Sequence, residues 1–164
     1  MVMPASGNRR GGLYQGYHGD NAQPWADNVI LVAESARTAS GNSGDLTGYA
    51  PFTSACFVLD VSAAATASGD TLNVYVQRKL PNGDYDDIVA FTAVLGDGGA
   101  KVFRADVYSG ASAGAEEAPK DGTLTAGTSA DLMWGNTLRV KWVIVDATTD
   151  DASFTFSVTG NFKV

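Results

Sequence analysis

Leu138-Arg-Val-Lys-Trp-Val-Ile144 alternates large apolar residues with charged ones. Leu138, Val140, Trp142 and Ile144 fall on one side, and Arg139 and Lys141 on the other. Successive side chains of an extended chain point to opposite faces, so this stretch reads as a half-buried strand with Trp142 as a core anchor. A polar turn, Asp146-Ala-Thr-Thr-Asp-Asp151, comes next. Beyond it Phe154, Phe156 and Val158 alternate with Thr155, Ser157 and Thr159, and Phe162 keeps the same phase. The chain is therefore predicted to close on a pair of strands.

The same period recurs upstream. Phe57, Leu59 and Val61 share a face, as do Leu72, Val74 and Val76, whose neighbours Asn73, Tyr75 and Gln77 face the other way. Pro81-Asn-Gly-Asp84 is a hairpin turn, because Asn-Gly accepts the positive φ that such turns demand. Val89 and Phe91 then fall together, Gly96-Asp-Gly-Gly99 makes a second turn, and Phe103, Ala105 and Val107 form another apolar row. Val29-Ile-Leu-Val-Ala33 fits a strand or the start of a short helix, and its length alone does not decide between them. Residues 38–51, rich in Ser, Gly, Thr and Asn, read as a loop. Residues 109–131 form a long excursion of Gly, Ala, Ser, Thr and acids, of the kind usually kept for function or mobility. Seven or eight short strands between turn-rich loops predict an all-β, antiparallel β-sandwich of jelly-roll-like form over residues 28–164.

The 164 residues suffice for one domain with a real core. A net charge of −7, from 11 basic and 18 acidic residues, argues against nucleic acid as a partner. A single cysteine leaves no internal disulfide and no cysteine-built zinc site. No apolar run approaches the roughly 20 residues of a membrane-spanning helix, and the first ten residues do not read as a secretory signal. Synthesis in a cytoplasm, with no membrane association, is the expectation.

Residues 1–27 combine five glycines with Tyr14, Tyr17 and Trp25. Glycine at that density opposes helix and strand, whereas three large aromatics suit an extended arm that docks on its own body or on a neighbouring subunit. Tyr14, Tyr17 and Trp25 are the expected anchors. Trp134, outside the clear strands, is a candidate for a subunit interface or for stacking on a sugar ring. The one histidine, His18, has Asp20 beside it, but no nucleophile elbow accompanies it, so no catalytic residue and no enzymatic activity are assigned. Asp84, Asp86 and Asp87 have the residue types of a calcium site without the full ligand spacing. The preferred reading of these three, as of Glu116, Glu117 and Asp121 and of Asp146, Asp150 and Asp151, is solvated acids. Cys56 reads as a small buried hydrophobe, and no cofactor is expected.

Phe57-Val-Leu-Asp-Val61, Thr71-Leu-Asn-Val-Tyr-Val-Gln-Arg78 and Leu80-Pro-Asn-Gly-Asp-Tyr-Asp-Asp-Ile-Val-Ala-Phe91, with Leu138-Arg-Val-Lys-Trp-Val143 and Ser153-Phe-Thr-Phe-Ser-Val158, resemble small β-sandwich virion proteins of tailed bacteriophages. The resemblance spans residues 53–164. It implies a decoration, or cement, protein on the outside of a capsid, bound to the major capsid protein and commonly a homotrimer. Neck and tail proteins share the pattern. A carbohydrate-binding or adhesin sandwich is the competing expectation.

Overall fold

A computed structural model describes residues 25–65, 67–110, 118–130, 133–147 and 152–164. Tyr14, Tyr17 and His18 lie outside the described residues. Among the described residues eleven strands form two antiparallel sheets. The first sheet holds β1 (Trp25–Arg37), β11 (Phe154–Lys163), β4 (Ser54–Ala63) and β8 (Lys101–Tyr108), in that spatial order. The second runs β2 (Gly41–Asn42), β10 (Thr137–Val145), β5 (Thr71–Lys79), β6 (Tyr85–Ala90) and β9 (Thr128–Ser129). Two further short strands join it: β3 (Leu46–Thr47) on β10 and β7 (Val94–Leu95) on β5.

The chain passes from one sheet to the other at six of the ten connections between these strands. With β2 and β3 taken as one interrupted edge strand, the order 1-11-4-8 packed on 2-10-5-6 is the double Greek key of a jelly roll. The β5–β6 connection is the tight hairpin expected around Asn82-Gly83. Gly83 has a φ of +94°, the Leu80 amide donates to the Asp84 carbonyl at 2.8 Å, and the Gly83 amide donates to the Leu80 carbonyl at 2.9 Å.

The alternating residues meet between the sheets. Phe57, Leu59 and Val61 from β4, Leu72, Val74 and Val76 from β5, and Phe154, Phe156 and Val158 from β11 are all buried. Phe162 lies amid an aromatic cluster, with ring centroids 4.8 Å from Tyr49, 5.4 Å from Phe52 and 5.6 Å from Phe57. Burial within this cluster pushes the Tyr49 phenol up to about 12. Gly160 makes room for it: a Cβ there would stand 2.8 Å from the Phe162 ring. Arg37 closes one end, its guanidinium 4.4 Å from the Phe156 ring and 4.9 Å from that of Trp142. Trp142 packs partly buried against the core, its Nε1 donating to the Ala39 carbonyl at 3.0 Å.

One open sequence expectation is settled and two change. The Val29–Ala33 stretch is a strand, and it lacks a clean period because the β1–β11 register breaks three times between Ala26 and Ser35. Each irregularity resets which side chain faces inward. The arm boundary expected at residue 27 falls inside this strand, since Trp25 already pairs with Lys163. Residues 38–51 are more than a loop, because β2 and β3 pair with β10 and cover its edge.

Phe57→Ala removes the ring that touches both Phe162 and Trp134. It is expected to lower the unfolding free energy by about 3–5 kcal/mol in chemical denaturation.

Candidate functional site

The outer face of the second sheet carries a connected polar cluster. Gln77, which strand alternation places toward solvent, is fully buried. Its amide nitrogen donates to Asp87 Oδ1 at 2.6 Å and to Asp121 Oδ1 at 2.8 Å, and its Oε1 accepts from Arg139 Nε at 2.6 Å. Asp121 also receives Arg139 and Lys141, each at 3.0 Å. Burial alone would raise the Asp121 carboxyl, but the hydrogen bonds from Gln77 and Lys141, with the nearby positive charges, hold it below its ordinary value. Arg139 stacks on Tyr85, whose hydroxyl donates to Asp45 at 2.5 Å. Asp45 also accepts from Lys79 at 2.6 Å, and hydrogen bonds from Lys79 and Tyr85 lower its carboxyl.

Asp87 is the deepest member of this cluster. Its carboxylate accepts the backbone amides of Gly122, Thr123 and Leu124 at 2.9–3.0 Å, in addition to Gln77. The Asp87 amide donates to the Lys120 carbonyl at 2.8 Å. Asp86 points to the other face, accepts the Lys120 amide at 2.9 Å and forms an ion pair with Arg78 at 2.8 Å. Adjacent strand residues alternate between faces, so this acidic pair grips one loop from two sides. The Ala130 amide then donates to the Ile88 carbonyl, and β9 pairs with Val89 and Ala90. The described part of the long excursion is thus tied to β6.

These partners correct the calcium reading of Asp84, Asp86 and Asp87. Asp86 and Asp87 spend their oxygens on N–H donors, and Asp84 accepts from the Asn82 side chain at 2.6 Å within the exposed turn. Among the described residues no three acidic, histidine or cysteine side chains gather into a metal site. Trp134 is also corrected. It is buried at 6% exposure, lies edge-on to Phe57 at 6.4 Å and donates its Nε1 to the Phe52 carbonyl, so it has no free face for a sugar. Its neighbourhood of Gly and Asn hid this, because the burial comes from tertiary packing without strand alternation.

The outer face of the first sheet carries a shallow groove of about 690 Å³. Registered residues form its floor and rims, in a row from Trp25 across Lys163 and Ser54 to Tyr108, with Asn161, Cys56 and Asp106 beside it. Trp25 is accordingly a groove-lining residue at the start of β1. Cys56 faces this groove half-buried, on the side of β4 opposite Phe57 and Leu59, which corrects its reading as a buried residue. Burial and the neighbouring Asp106 push its thiol up, away from the reactive thiolate. Tyr108, at 74% exposure, carries no sequence signal of this role, because it ends an alternating strand like any surface residue.

Comparison with protein-family models, with curated proteins and with solved structures finds no match. Among the described residues no helix is long and apolar enough to cross a membrane.

Asp87→Ala strands three loop amides without their acceptor and leaves the Gln77 nitrogen with Asp121 alone. Breaking such a buried charged contact is expected to cost about 3 kcal/mol or more, read as a lowered urea midpoint. Asp84→Ala, in the exposed turn, is expected to leave that midpoint in place.

Proposed function

We propose that this is a non-catalytic structural virion protein. It binds the major capsid protein on the outside of a phage capsid and stabilises the shell as a decoration protein. The observation that carries this reading is the jelly-roll connectivity, 1-11-4-8 on 2-10-5-6, an architecture used by viral capsid and lectin domains. A fold serves many functions, so the surfaces must add to it. Here the buried Asp86 and Asp87 hold loop backbone, and the first sheet exposes Ile30, Val102 and Tyr108 while Leu95 and Val145 are exposed on the second. Such side chains suit attachment by surface burial. A ligand that binds only the intact shell raises its stability in proportion to RT ln(1 + [L]/Kd), and many weak contacts act together across a lattice.

A second reading rests on the groove between Trp25 and Tyr108. Aromatic rings beside Asp27, Asp106, Asn161 and Lys163 combine stacking surface with polar groups of the kind that bind sugars. The test of the first reading is co-sedimentation of the purified protein with shells assembled from the major capsid protein of the same genome. Saturable binding and a raised temperature of shell disruption are expected. Absence of binding, together with a glycan-array signal lost in Trp25→Ala, would put the sugar-binding reading in its place.

A further inference from the structure

We propose that β8 pairs with β8 of a second copy of this chain, antiparallel about a twofold axis at Ala105, joining two four-stranded sheets into one. This inference does not depend on the virion reading.

The sheet edges are treated unequally. On the first sheet, β1 is broken by three register irregularities and by Asn28 at a φ of +53°. On the second, the edges are the two-residue strands β2, β3 and β9. Short strands and bulges are the usual devices that keep a sheet edge from recruiting another chain. The remaining edge, β8, has neither: it is eight residues long, contains no Gly or Pro, and runs against β4 without a break in register from Lys101 to Tyr108. Among the described residues no strand pairs with its outer side. A cleft of about 200 Å³ lies beside Phe103–Asp106, between β8 and Gly127–Ser129 of the other sheet.

Its sequence, Lys101-Val-Phe-Arg-Ala-Asp-Val-Tyr108, is self-complementary in one antiparallel register. With Ala105 opposite Ala105, Arg104 of each copy faces Asp106 of the other, and Val102 faces Tyr108. On the inner face Phe103 meets Val107. Directly opposed residues of an antiparallel pair share a face, and opposite charges or aromatic and β-branched residues stabilise such pairs. The contact covers Val102 and Tyr108, which are 67% and 74% exposed, and the half-buried Phe103 and Ala105. Arg104 and Asp106 already form an exposed ion pair at 3.0 Å within the strand, so both charged heads stand on the face where the cross-strand pairs form. Neighbouring registers fail. Sliding by one pair in either direction puts Arg104 against Arg104 or Asp106 against Asp106, and a half-step places inward residues opposite outward ones.

The experiment is light scattering coupled to size-exclusion chromatography over a concentration series, with Arg104→Asp and Asp106→Arg run separately and mixed in equal amounts. The native chain is expected to approach twice 17.0 kDa as concentration rises. Each single variant sets like charges against each other at both cross-strand positions and is expected to stay at 17.0 kDa. Mixing them restores opposite charges at both positions, so the mixture regains the doubled mass, which a misfolded variant would not do. A native chain that stays monomeric at its highest soluble concentration overturns the proposal. So does a trimer, a single variant that still dimerises, or a mixture that remains monomeric.

Discussion

The carboxylate of Asp87 lies inside the protein and accepts three consecutive backbone amides, from Gly122, Thr123 and Leu124. A buried charge persists only where it is paired and hydrogen-bonded, so this one fixes its surroundings. The loop must present its amides to β6, Gln77 must turn its nitrogen inward, and Asp121 must stand where Arg139 and Lys141 can reach it. The next residues along the chain inherit that placement: β9 pairs with β6, and residues 118–130 cover an edge of the second sheet. The apolar core supplies the cohesion of the sandwich, while Asp87 determines where its longest excursion goes.

Most of the sandwich was legible because its strands bury one face. Where one side packs and the other meets solvent, a period of two is imposed on the sequence, as at Phe57, Leu59 and Val61 or at Phe154, Phe156 and Val158. The hairpin at Asn82-Gly83 was legible for a different reason, the backbone conformation that the turn requires. Legibility failed where those conditions failed. β1 changes phase at its irregularities, and β6 buries residues on both faces from Asp87 through Ala90. β2 and β3 are too short for any pattern.

The surfaces were less legible, because their organisation depends on contacts between distant residues. Gln77 and Asp87 are ten positions apart and look like ordinary polar residues of a hairpin, and their partner Asp121 lies 44 positions from Gln77. An acidic run at a turn suggests a cation site, and only the loop that folds back reveals that its ligands are amides. Trp134 shows the reverse: a residue in a glycine-rich stretch that packing draws into the core. The groove between Trp25 and Tyr108 exists only because four strands align in register, and the self-complementarity of β8 becomes meaningful only once β8 is known to be an edge.

Amide hydrogen exchange, read residue by residue, tests most directly whether Asp87 makes the excursion part of the folded body. Gly122, Thr123 and Leu124 are predicted to exchange with the slow rates of the central strands β5 and β10, since their donors point into a buried carboxylate. Exchange at the rate of exposed loop amides, such as Gly99 or Ala100, would contradict the account.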